Sequence, residues 1–170
     1  MKKLVSILIA MSFIYSCSRI SEEDLWISAD QEYKQHNYMS AIAKYQEIVE
    51  KFKNNPRADS AQYLIASIYN NELQEYRNAI SEYRKLVKLF PNSQKSPKVM
   101  FLIGFIYNNQ LNEYDSARIA YEEFIEKYPN DDLVQDAQIE IATLGKDPSE
   151  LIPPEIAIKE EAPKSKKLKK

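Results

Sequence analysis

Apolar positions along this chain recur at the three-to-four-residue spacing of a helix, and the helical segments themselves recur at a longer interval. Residues 63–79, YLIASIYNNELQEYRNA, and residues 101–117, FLIGFIYNNQLNEYDSA, are identical at ten of seventeen positions with a constant offset of 38. The same offset joins Ala41, Ala79 and Ala117, then Tyr45, Tyr83 and Tyr121, then Ile48, Leu86 and Phe124, then Phe52, Phe90 and Tyr128. Steps of four, three and four residues place each such set on one helical face. A fixed period of this size marks stacked helical units, none of which buries its apolar face alone.

Each unit divides into two helices. In the second, Ala61, Leu64, Ile65 and Ile68 form the apolar stripe of a helix A, and Ala79, Ile80, Tyr83, Leu86, Val87 and Phe90 that of a helix B. In the first unit the helix A stripe reads Leu25, Trp26, Ala29 and Tyr33. Pro91 and Pro129 directly follow helices B, and Pro56 lies slightly beyond the first. Proline lacks an N–H and clashes with the preceding turn, so these positions mark boundaries. Ser96-Pro97 predicts an N-cap followed by proline at the first helical position. After Pro129, Leu133, Ala137, Ile141 and Leu144 share a face, and Gly145 stands where a helix C-terminus favours a left-handed residue. The fold expected is all-α: an α-solenoid of three helix pairs, about 22–56, 57–94 and 95–130, closed by a C-terminal capping helix at 131–145, within a domain of 22–147.

These residues resemble the tetratricopeptide repeat (TPR). Its small residue midway along helix A is matched by Ala66 and Gly104, and the aromatic three residues later by Tyr69 and Tyr107. Its helix B alanine is matched by Ala41, Ala79 and Ala117, and the following aromatic by Tyr45, Tyr83 and Tyr121. The resemblance covers about residues 22–144; the units exceed the usual length of about 34 residues because the turns NELQEY and NQLNEY are long. It implies that one side of helices A lines a concave groove where asparagine amides hold an extended peptide backbone. If Leu64, Ile65 and Ile68 face the core, the neighbouring stripe in unit two is Tyr63, Ser67, Asn70 and Asn71, and in unit three Phe101, Phe105, Asn108 and Asn109. An asparagine amide carries both a donor and an acceptor, as a peptide backbone requires. The candidate clamp is therefore Asn70, Asn71, Asn108 and Asn109, with Tyr63, Phe101 and Phe105 as apolar contacts. For Asn71 and Asn109, helix capping is an equal reading, since asparagine is common at helix ends.

Composition supports helix: 2 Gly stand among 170 residues, and glycine is unfavourable inside a helix by about 1 kcal/mol relative to alanine. Charge is uneven. From Cys17 to Leu151 there are 15 Lys plus Arg against 22 Asp plus Glu, and from Ile152 onward six Lys against three Glu. An acidic body argues against nucleic acid, whose binders carry positive charge on the folded domain. At the N-terminus, Lys2 and Lys3 precede the apolar run Leu4 to Tyr15, which ends at Ser16 and Cys17. That arrangement reads as a signal peptide over 1–16; as helix the run spans about 18 Å, short of a bilayer core of about 30 Å. Ile14-Tyr15-Ser16-Cys17 is similar to the bacterial lipobox, with Tyr15 departing from its usual small residue. Cys17 is the expected lipid attachment site, followed by a linker at 17–21; the competing reading is an ordinary secretory signal that leaves a free thiol. Each buried lipid CH2 contributes about 0.8 kcal/mol, so two or three chains hold a protein on a membrane. Ser18 after the cysteine implies, by family pattern, forwarding to the outer membrane.

No catalytic chemistry is legible. His36 is the only histidine, and no zinc, P-loop, C-x-x-C or nucleophile-elbow motif occurs, so no catalytic residue, metal, cofactor or small-molecule substrate is expected. Residues 148–170, proline-rich and then KSKKLKK, read as a disordered tail that either touches anionic surfaces or only solubilises. The acylated cysteine, the short TPR-like units and the turns LFPNS and KYPND together resemble the BamD-like outer-membrane lipoproteins. That resemblance implies a membrane-anchored scaffold at the periplasmic face of the outer membrane, binding envelope proteins through extended peptide segments and supporting β-barrel insertion. The competing function is a periplasmic adaptor for peptidoglycan or Tol-Pal-type machinery; an enzyme accessory subunit is a third.

Overall fold

The computed structural model describes residues 20–146, which form seven helices and no strand. They are α1 (Glu22–Lys34), α2 (Tyr38–Lys51), α3 (Ala58–Asn71), α4 (Tyr76–Leu89), α5 (Ser96–Asn109), α6 (Tyr114–Lys127) and α7 (Val134–Thr143). Neighbours in sequence pack on one another throughout, giving three helix pairs and a seventh helix against α6. This is the TPR-like solenoid that the period of 38 anticipates. The predicted signal peptide, Cys17 and the tail lie outside the described residues.

The helix B ladder forms the spine. Ala41, Ala79 and Ala117 are fully buried, as are Ile48, Leu86 and Phe124, and Tyr45, Tyr83 and Tyr121 are no more than 2% exposed. Each of these tyrosines meets one aromatic ring from helix A of its own unit. Trp26 lies 5.4 Å from Tyr45, Tyr63 5.8 Å from Tyr83, and Phe101 5.3 Å from Tyr121, centroid to centroid and all tilted or edge-on. Such geometry suits the ring quadrupoles. The partners Tyr63 and Phe101 are 38 apart, but Trp26 precedes Tyr63 by 37. The reason is the first inter-helix turn, residues 35–37, one residue shorter than 72–75 and 110–113. Ala29, Ala66 and the buried Gly104 fill the same place against the stack.

The long turns have one conformation. In units two and three, Glu75 and Glu113 donate their N–H to the carbonyls of Tyr69 and Tyr107 at 2.8 Å, and the chain passes through a left-handed residue, Gln74 or Asn112, both at φ 54°. His36 takes that role in the first turn at φ 61° and its Nδ1 lies 2.8 Å from the Tyr38 hydroxyl. Gly145, at φ 72°, follows α7 as a left-handed stop.

Two local expectations need correction. Tyr33 does not join the core; it is 39% exposed, and its hydroxyl donates to Glu72 Oε1 at 2.7 Å. The short first turn shifts the helix A register, so Tyr33 stands level with Asn70. Ser96 is not the N-cap of α5. The cap is Lys95, and Ser96 is the first helical residue, fully buried, with its hydroxyl donating at 3.4 Å to the carbonyl of Phe90 at the end of α4. A clear cap occurs instead at Ser21, where Asp24 N–H donates to Ser21 Oγ at 3.1 Å and Ser21 N–H donates to Asp24 Oδ2 at 3.2 Å. The Ser21 hydroxyl, which donates to Asp24 Oδ2 at 2.7 Å, and then the Ser21 N–H hold the Asp24 carboxyl below its usual range.

Candidate functional site: the face of helices A

Helices α1, α3, α5 and α7 present one row of side chains near their C-terminal ends. Tyr33, Asn70 and Asn108 are level, and polar bridges run between successive A helices: Tyr33 to Glu72 at the end of α3, and Asn108 Nδ2 to Glu140 Oε2 of α7 at 3.0 Å. The hydrogen bond to Glu72 raises the Tyr33 pKa, and the same bond holds Glu72 below its ordinary value. Beyond Asn108 opens a polar cleft of about 530 Å3, lined by Asn108, Asn109 and Asn112 on one side and Glu140, Thr143 and Lys146 on the other.

The structure thus brings Asn108 and Asn109 into one cleft, with Asn70 and Asn71 one unit away. Neither Asn71 nor Asn109 occupies a left-handed capping position; the C-caps are Glu72 and Gln110. Both side chains instead reach back four residues, Asn71 Nδ2 donating to Ser67 Oγ at 3.0 Å and Asn109 Nδ2 to the Phe105 carbonyl at 3.2 Å. Asn70 donates to Asn71 Oδ1 at 2.6 Å, while its own Oδ1 is buried and has no hydrogen-bond partner among the described residues. Tyr63 and Phe101 are half-buried in the ring stack described above, and Phe105 stays 38% exposed.

A second orphan lies close by. The Tyr121 hydroxyl is buried and has no hydrogen-bond partner among the described residues. Burial first, then the nearby Glu140 carboxylate, raises its pKa. Tyr45 is raised by burial and by the hydrogen bond it donates to Asp30 at 2.6 Å. Glu140 is the residue that sequence reasoning missed, although it joins Asn108 and borders Tyr121. Its signal was faint: it sits one residue before Ile141, on the side of the capping helix left unassigned by the apolar stripe.

Among the described residues no cluster of His, Cys, Asp and Glu is placed to hold a metal, and no helix is long and apolar enough to cross a membrane. The family model for outer membrane lipoproteins designated YfiO matches residues 18–147. The chain belongs to this family. No individual curated protein matches it. The matched stretch contains all seven helices and every asparagine of the proposed clamp, so a TPR-like scaffold associated with the outer membrane is the family setting in which the polar face of helices A must be read.

Proposed function

We propose that this protein is a lipid-anchored scaffold at the periplasmic face of the outer membrane, where helices A hold extended segments of envelope proteins, in support of β-barrel assembly. The observation that carries the binding part is the Asn70 side-chain oxygen, Oδ1, buried and without a hydrogen-bond partner among the described residues. An unmet acceptor of this kind costs about 1–3 kcal/mol, which a backbone N–H of a bound strand would recover once the Asn70 amide turns outward to meet it. The Asn108–Asn109 cleft continues the same row with both donors and acceptors. Support for the anchor is the family itself, outer membrane lipoproteins, together with the lipobox-like run that ends at Cys17.

The experiment has two arms. In cells, Cys17→Ala should release the protein from membranes; retention there sinks the anchor. In a pull-down from crosslinked, solubilised envelope, the unaltered protein should recover barrel-insertion components. Asn70→Ala with Asn108→Ala should lose them while melting within a few degrees of the parent. Recovery of wall synthases or Tol components instead would establish the adaptor function and refute the assembly role.

A further inference from the structure

On the other side of the stack, between α4, α5 and α6, lies an open cleft of about 290 Å3. Its floor is apolar, made by Val87, Met100, Ile103 and Ala120. Its rim is cationic, with Arg84, Lys88 and Lys127 against one carboxylate, Glu123. Arg84 Nη1 is 3.3 Å from Glu123 Oε2, but Lys88 and Lys127 form no ion pair among the described residues. Lys127 Nζ lies 5.6 Å from the centroid of the Tyr128 ring, and three cations against one carboxylate round an apolar floor are out of character for an acidic body.

The repeat supplies an internal control, because the same interface exists 38 residues earlier. There the positions of Met100 and Ala120 are held by Gln62 and Glu82, 3% and 8% exposed. Gln62 Nε2 donates to Glu82 Oε2 at 2.8 Å and to the Glu82 carbonyl at 3.0 Å, plugging the space. At the rim, Gln46, Glu50 and Leu89 stand where Arg84, Lys88 and Lys127 stand here. One interface carries a plug, two carboxylates and one cation, Lys85; the next carries no plug, three cations and one carboxylate. Stacking of units therefore requires neither the opening nor the positive rim.

We propose that this cleft is a second binding site, for an extended acidic segment of a partner protein. An apolar side chain of that segment seats on Val87, Met100, Ile103 and Ala120, and flanking carboxylates meet Lys88 and Lys127. The volume is at the lower end of ligand pockets, about 300–1,000 Å3, and so takes side chains rather than a folded surface. The Glu123 carboxylate on the rim opposes a phosphate headgroup while still accepting a peptide N–H. The site uses helices B and the inner side of α5, and stands whether or not the asparagine face binds peptide.

The test is a methyl-NMR titration of the protein with the peptide EELFEE and its basic counterpart KKLFKK. The acidic peptide should give saturable shifts at the Val87, Ile103 and Ala120 methyls that weaken with salt. Lys88→Glu with Lys127→Glu should raise its dissociation constant about tenfold. Met100→Gln with Ala120→Glu, which rebuilds the plug, should abolish the shifts; should that variant fold poorly, the surface lysine pair still decides. Asn70→Ala with Asn108→Ala should leave them unchanged, separating this site from the asparagine face. The proposal is overturned if KKLFKK binds as well, or if millimolar EELFEE leaves these methyls still. It is equally overturned if phosphatidylglycerol vesicles, a rise in protein concentration alone, or removal of residues 148–170 is what moves them.

Discussion

Replacing Gly104 by alanine adds one methyl group at the closest helix–helix contact in the third unit. A Cβ built there lies 2.6 Å from Tyr121 Cδ1 and Cε1 and 2.9 Å from Cγ, well inside van der Waals contact. The ring has little freedom to retreat. It is fully buried, with Phe101 stacked 5.3 Å away, and Phe101 in turn lies 6.0 Å from Phe124. Overpacking of this kind costs about 1–3 kcal/mol, and contact with ring atoms close to the backbone places it near the top of that range. Alanine offsets about 1 kcal/mol through its better helix propensity. The expected net loss is about 2 kcal/mol, read by urea denaturation followed by far-UV circular dichroism. In a Tyr121→Leu background the clash partner is gone, and the same substitution should become stabilising by up to about 1 kcal/mol. If Gly104→Ala stabilises the otherwise unaltered protein, the close packing assigned to this glycine is wrong.

Gln74→Gly should stabilise by about 0.5–1 kcal/mol, because a left-handed non-glycine residue costs roughly 1–2 kcal/mol and glycine recovers part of it; Asn112→Gly, starting from a better tolerated residue, should gain less. Equal or opposite effects in the denaturation midpoints would count against the turn geometry. Asp59 accepts from Ser93 Oγ at 2.6 Å and Lys95 Nζ at 3.1 Å, tying α3 to the turn before α5. Burial raises its pKa, but these partners outweigh it and hold the carboxyl below 3.8. Its folded pKa is depressed, so its stabilisation is complete above the unfolded value and is lost as pH falls through the folded one. Asp59→Asn should cost about 1–2 kcal/mol at neutral pH and little at pH 2, as followed by thermal melts; a pH-independent loss would refute the assignment. Tyr121→Phe removes a buried hydroxyl that has no hydrogen-bond partner among the described residues and should be neutral or stabilising by about 1 kcal/mol, whereas Tyr45→Phe loses the bond to Asp30 and should cost about 1 kcal/mol. Reversal of that order in melting temperature would contradict the pairing.

The helix B spine was legible in full because its alanine, tyrosine and apolar positions obey one spacing, and buried identity is what stacking demands. Helix A of the first unit was less legible. Its turn is one residue shorter, so Trp26 matches Tyr63 at 37, and Tyr33 falls on the polar face beside Asn70 instead of in the core. Ser96 looked like a cap because serine before proline usually is one, yet its hydroxyl serves the end of α4. The double asparagines were visible as residues that packing does not explain. Their division of labour was not, since it depends on the unmet Asn70 oxygen and on Glu140 from a helix whose polar side carries no period. The cationic cleft escaped attention because each lysine is unremarkable alone, and its meaning appears only against the plugged interface one unit earlier.

Site-specific photocrosslinking in living cells tests the central claim most directly, that partners are held on the face of helices A. A photoreactive residue at Phe105, exposed beside the asparagine cleft, is compared with one at Gln46, exposed on α2. The account predicts discrete adducts with an envelope protein from position 105, lost when Asn70 and Asn108 are both alanine, and none from position 46. Adducts of equal strength from both positions, or none from 105 in a protein that is produced and folded at the level of the parent, would contradict it.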